Sequence, residues 1–129
     1  LGKWLEIVCL IVPTINDDQE QIRQMCQWLL RAVGPLVPVH FTRFMPAYKL
    51  THLPPTPVAT LEACRQTALS VGLKYVYVGN APGSAGENTY CASCGRVVVR
   101  RYGFQIREMN VKPNGACKFC GKKIPGVWD

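Results

Sequence analysis

No stretch of this chain approaches the roughly 20 apolar residues that a bilayer-spanning helix needs. The segment WLEIVCLIV, Trp4 to Val12, is nine residues long and carries Glu6. No small-residue cleavage site follows it, so it does not read as a signal peptide. Acidic residues are scarce, 8 Asp and Glu against 15 Lys and Arg, for a net charge of +7. There is no G-x-S-x-G, and the two histidines have no evident nucleophile partner, which argues against hydrolase chemistry. PGSAG, Pro82 to Gly86, offers backbone N–H groups but lacks the lysine that follows in a phosphate-binding loop, so it reads as a plain loop. Internal repeats and low-complexity tracts are also missing. Disorder is not expected at 48% hydrophobic content, and 129 residues suffice for one ordinary core and a small appendage. The sequence opens on Leu1 rather than Met, as part of a longer gene product would.

Cysteine, in contrast, is plentiful at seven. Four of the seven fall in two C-x-x-C pairs, Cys91/Cys94 and Cys117/Cys120, each followed by glycine. An odd count with such pairs points to metal binding in a reducing compartment, the cytoplasm, rather than to secreted disulfides. A C-x-x-C-G turn aims two thiolates at one metal, and two turns complete a tetrahedron. Between them RVVVRRYGFQIREMNV alternates and turns at Tyr102-Gly103, giving the outline of a zinc ribbon. Zinc is favoured over a rubredoxin-like iron because a closed four-cysteine site is usually structural zinc. Cys9, Cys26 and Cys64 sit in apolar patterns and read as core residues.

Charge divides the chain at the same place. Residues 1–90 hold seven Lys/Arg and six Asp/Glu, whereas residues 91–129 hold eight and two. With the Gly/Pro-rich GNAPGSAGEN in between, this places a boundary near residues 81–88, separating an α/β part, 1–80, from a ribbon, 81–129. The eight cations from Arg96 to Lys123, with Tyr102, Phe104 or Phe119 for stacking, allow a nucleic-acid-binding or protein-docking ribbon as the alternative function.

The first eighty residues read as βαβαβ. Leu5 to Val12 is almost continuously apolar, as in a strand covered on both faces. A helix capped by Asn16 or Asp17 follows, with Ile22, Met25, Cys26, Leu29 and Val33 inward and Gly34-Pro35 as its stop. Val37 to Phe44 is a second strand. Thr56-Pro57 supplies an N-cap and first-turn pair for a second helix with Val58, Leu61, Cys64, Ala68 and Leu69 inward, and Lys74 to Asn80 is the third strand. Right-handed crossovers between neighbouring parallel strands put both helices on one side of such a sheet. The other side then lacks cover, so further strands are expected, as in a full or partial TIM-type barrel. Ligands in such barrels sit at the C-terminal strand ends, here around Pro13 to Asn16, Arg43 to Tyr48 and Gly79 to Gly83. Asn16 also reads as a helix cap, His40 as a hydrogen-bonded strand residue, and Arg43 as the partner of a carboxylate.

LIVPTIND, HFTRFMPAYKLTHLPPTP, YVYVGNAPGSAGENTYCASCG and CGKKIPGVW together resemble, in order and along nearly the whole chain, the C-terminal part of the AmmeMemoRadiSam-type radical SAM proteins, relatives of pyruvate formate-lyase activating enzymes. The resemblance implies a partial α/β barrel that binds S-adenosylmethionine on a [4Fe-4S] cluster, cleaves it reductively to a 5′-deoxyadenosyl radical, and carries a four-cysteine ribbon. It implies that Pro13, Asn16, His40, Arg43 and Asn80 lie near the cofactor or substrate cavity. The cluster motif C-x3-C-x2-C does not occur in these residues, so cofactor and cluster are expected only in a longer enzyme. The expected partners are therefore the missing N-terminal barrel segment and a protein substrate, with neither membrane nor nucleic acid. Thr14 stands where the family commonly has glycine.

Overall fold

A computed structural model describes residues 3–47, 51–126 and 128; Tyr48, one limit of the second expected ligand loop, lies outside them. Three parallel strands, β1 (Ile7–Ile11), β2 (Val39–Arg43) and β3 (Val76–Gly79), pair in sequence order. Helices α1 (Gln19–Val33) and α2 (Val58–Val71) connect them. A second, antiparallel sheet holds β4 (Thr89–Tyr90), β5 (Val97–Tyr102) and β6 (Gln105–Met109). The chain is thus mixed α/β with two small sheets.

Period-two alternation sorts each parallel strand into two faces. Ile11, Val39, Phe41, Val76 and Val78 are buried against Ile22, Cys26 and Leu29 of α1 and Leu61, Cys64 and Ala68 of α2. Both helices therefore lie on one side. On the other side Val8 is 68% exposed and Leu10 47%, so β1 is not covered on both faces as its composition suggests. Burying these two side chains would stabilise by about 1 to 2 kcal/mol each.

The helix starts differ from those expected. Asp18, not Asn16 or Asp17, caps α1, its carboxylate accepting from Glu20 N. Asn16 instead splints the end of β1: its Oδ1 accepts from Val12 N at 2.7 Å and its Nδ2 donates to Leu10 O at 2.8 Å. Pro57 is the N-cap of α2 and makes no side-chain cap bond. Thr56 is fully buried; its hydroxyl donates to Ile11 O at 2.6 Å and accepts from Phe44 N at 2.9 Å, tying the ends of β1 and β2 together.

Thr14 has φ 68°. A β-branched residue is strained in that left-handed region, which glycine enters freely. Relief of that strain outweighs the added freedom of the unfolded chain, so Thr14→Gly is predicted to raise stability by about 0.5 to 1 kcal/mol. The measurement is the denaturant midpoint at constant slope. A lower midpoint would show that Thr14 is held by contacts that outweigh its strain.

Candidate functional site

The ribbon is built around its cysteines. In each C-x-x-C-G turn the glycine N–H closes back on the first cysteine's carbonyl, Gly95 N to Cys91 O at 2.8 Å and Gly121 N to Cys117 O at 2.9 Å. The glycines take φ of 76° and 81°, which side-chain-bearing residues adopt only with strain. The two turns meet. All four ligand sulfurs lie within 4.8 Å of one another, with Cys91 Sγ to Cys120 Sγ at 3.6 Å and Cys94 Sγ to Cys117 Sγ at 3.8 Å. A tetrahedral ion with metal–sulfur bonds of about 2.3 Å requires sulfur–sulfur edges of about 3.8 Å.

The sulfurs also need a cation. Burial pushes the Cys117 thiol up, but the backbone N–H groups of Cys120 and Phe119 outweigh it and hold it at about 7. A hydrogen bond from Arg96 works to lower Cys94, yet desolvation and the crowding of the other three sulfurs leave it at about 11. Four thiolates this close cannot coexist near neutrality without a positive ion.

The tetrad fixes one wall of a cavity. Cys91 and Cys117 pack with Val98, Val99 and Ile124, and with Tyr75 and Tyr77 at β3. The ribbon therefore leans on the third strand and covers part of the bare face, and between the two lies a cavity of about 750 Å³. Its floor is a chain of contacts running from the approach to β1 across β2 and β3 to the ribbon. Trp4 Nε1 donates to Glu6 Oε2 at 3.1 Å, and Glu6 Oε1 lies 2.7 Å from His40 Nε2. His40 stacks on Tyr77 at 4.9 Å between centroids, and the Tyr77 hydroxyl is 3.0 Å from Thr89 Oγ1. Arg101 completes the chain, donating from Nη1 to Thr89 Oγ1 at 2.7 Å and to Glu87 O at 3.2 Å.

Partial burial alone would raise Glu6, but hydrogen bonds from His40 and Trp4, with Arg101 further off, hold its carboxyl below the ordinary 4.5. Burial pushes the Tyr77 phenol up in spite of Thr89.

Of the sequence-singled residues, Cys91, Cys94, Cys117 and Cys120 are brought together, and His40 and Asn80 line the cavity. Pro13, Asn16 and Arg43 are not among its lining. Arg43 sits at the end of β2 and donates Nε to Thr56 O at 2.8 Å, and it pairs with no carboxylate among the described residues. Asn80, at φ 58°, donates Nδ2 to Arg43 O at 3.3 Å. Pro82 to Gly86 carries its own anion, because Glu87 Oε1 accepts from Gly83 N at 2.8 Å. Sequence reasoning passed over Glu6, Tyr77 and Arg101 as members of one floor. Residue parity along the strands carried the signal, since Glu6, Val8 and Leu10 alternate with the core side of β1 as His40 and Tyr77 do on theirs.

The site defines a four-cysteine metal centre set against the open face of a parallel α/β sheet. No known family profile matches the chain, and no solved structure matches it. It is similar to the uncharacterized protein MJ0808 of Methanocaldococcus jannaschii, 46% identical over 125 residues. That match takes in 96% of this chain and 38% of the relative, so the chain spans well under half of the relative's length. No helix among the described residues is long and apolar enough to cross a membrane.

Proposed function

We propose that this chain is the C-terminal portion of an activating-enzyme-like radical SAM protein, with zinc in the four-cysteine site. The observation that carries the reading is the one-sided sheet. Three parallel strands have both connecting helices on one face, while Val8 and Leu10 stand exposed on the other. Additional strands beyond β1 would extend the sheet into a partial barrel and enclose the cavity floor. The greater length of the relative leaves room for them. A [4Fe-4S] cluster held by that additional segment would supply the electron that cleaves S-adenosylmethionine. Pro13, Asn16 and Arg43 would shape the C-terminal rim of the sheet, with His40 and Asn80 facing the cavity. The closed tetrad leaves no coordination position open, so zinc would hold structure rather than perform chemistry.

The test is reductive cleavage. With dithionite and S-adenosylmethionine, the 129-residue chain is predicted to release no 5′-deoxyadenosine. A protein that joins it to a segment carrying C-x3-C-x2-C should release it and show a reduced-cluster resonance. Absence of cleavage in the joined protein with its cluster formed would sink the reading.

A second reading rests on the ribbon's cations and on Phe104, which is fully exposed. Two other aromatic faces are taken by the ribbon's own arginines, Arg96 over Phe119 at 4.9 Å and Arg107 over Tyr102 at 5.6 Å. Stacked bases would have to displace them. Affinity for DNA or RNA is therefore predicted to vanish near ~0.15 M salt, and sub-micromolar binding there would favour the nucleic-acid ribbon instead.

A further inference from the structure

We infer that the cavity between the bare sheet face and the ribbon is a binding site for a small aromatic anion, with Arg101 as the group that receives the carboxylate or phosphate. The inference stands on the charge accounting of the cavity and does not depend on the radical chemistry. Five charged or titratable side chains line it: Glu6, His40, Tyr77, Glu87 and Arg101, the Tyr77 phenol being kept neutral by burial and paired with Thr89. Glu6 is taken up on both oxygens, by His40 and by Trp4. Glu87 turns its carboxylate to the amides of Gly83, at 2.8 Å, and Gly103, at 3.4 Å. Arg101, though half-buried, meets no carboxylate within ion-pair distance among the described residues. Among the described residues its hydrogen bonds come from Nη1, to the Thr89 hydroxyl and the Glu87 carbonyl. A guanidinium has five N–H donors; Glu6 feels the Arg101 charge only from a distance and the Tyr77 ring centroid lies 5.7 Å from its Cζ, so no carboxylate among the described residues takes up the donors themselves.

The rest of the lining fits a flat apolar body. Trp4, Tyr77 and Trp128 contribute rings, with the exposed Phe104 at the mouth, and Ile124 and Pro125 close the ribbon side. A cavity of about 750 Å³ is within the usual range for a ligand of several fused or linked rings. Aromatic walls with a single fixed cation select a planar ligand carrying one negative group, because that group loses its hydration only where a charged donor replaces it.

The experiment uses the metal-loaded protein expressed from its whole reading frame, titrated with 2-naphthoate and with its neutral counterpart 2-naphthylmethanol, followed by calorimetry and tryptophan fluorescence. The carboxylate should bind about tenfold tighter or more. Arg101→Gln should abolish that preference, and Arg101→Lys should retain part of it. Arg100→Gln removes one charge from the neighbouring position on β5, whose guanidinium is engaged with Glu108, and should leave the preference intact. If Arg101→Gln loses its metal, Arg101→Lys alone decides between site and structure. Equal affinity for the two probes, binding of neither, or an equal loss in Arg100→Gln would overturn the inference. None of these outcomes bears on cleavage of S-adenosylmethionine.

Discussion

Removing the metal, or replacing Cys117 with serine, is expected to unfold the ribbon and dissolve one wall of the cavity. The ribbon's own core is too small to resist. β6 is exposed along all five residues, and the buried cluster beside the cysteines is little more than Tyr75, Val98, Val99 and Ile124. Structural zinc contributes an apparent ~10 to 16 kcal/mol near neutrality, as much as a whole domain's stability. The measurement pairs elemental analysis, expected to give one zinc per chain, with amide spectra before and after chelation. Signals from Val97 to Met109 should collapse while those of α1 and α2 persist. A dispersed ribbon spectrum without metal, or iron in place of zinc, would contradict this.

The second large effect is expected far from the cysteines. Thr56→Val keeps the shape of a fully buried side chain but removes its hydroxyl, leaving Ile11 O without its donor and Phe44 N without its acceptor. Each buried group left unpaired costs about 1 to 3 kcal/mol, so a loss of about 2 to 5 kcal/mol is predicted. Thr56→Ser keeps the hydroxyl and should recover most of it. An unchanged denaturation midpoint in the valine variant would show that the strand ends are joined by something other than this residue.

How far the sequence foretold these features depends on how local each one is. The C-x-x-C-G turns were legible because the requirement is local: a glycine at positive φ follows each pair, and 22 residues between Cys94 and Cys117 suffice for a hairpin. The βαβαβ order was legible because Ile22, Cys26 and Leu29, like Leu61, Cys64 and Ala68, recur at helical spacing. The caps were not. Asn16, Asp17 and Asp18 are three adjacent cap-forming residues, and only the position of the turn after β1 selects Asp18 for the helix and Asn16 for the strand. Thr56 looked like a cap for the same reason, yet the end of β1 lies within reach of its hydroxyl, a contact across 45 positions that no local pattern records. The short strand β4 was overlooked, being two residues long and formed only by pairing with β5. The hairpin turns one residue later than expected, at Gly103-Phe104. The cavity floor joins Glu6, His40, Tyr77 and Arg101 from four strands or strand approaches, so it exists only once the sheet and ribbon have met.

The junction between the two sheets has a consequence for modularity. Tyr75 and Tyr77 belong by sequence to the parallel sheet but by packing to the cysteine ribbon, while Gly103 at the hairpin tip is held by Glu87 from the connecting segment. A cut after residue 80 would part the ribbon from two of the rings it packs on and strip the tyrosines of their cover. The ribbon is consequently not a cassette that recombination could lift out and attach to another protein. A substitution at Tyr75 or Tyr77 therefore bears on the cysteine turns as well as on the third strand.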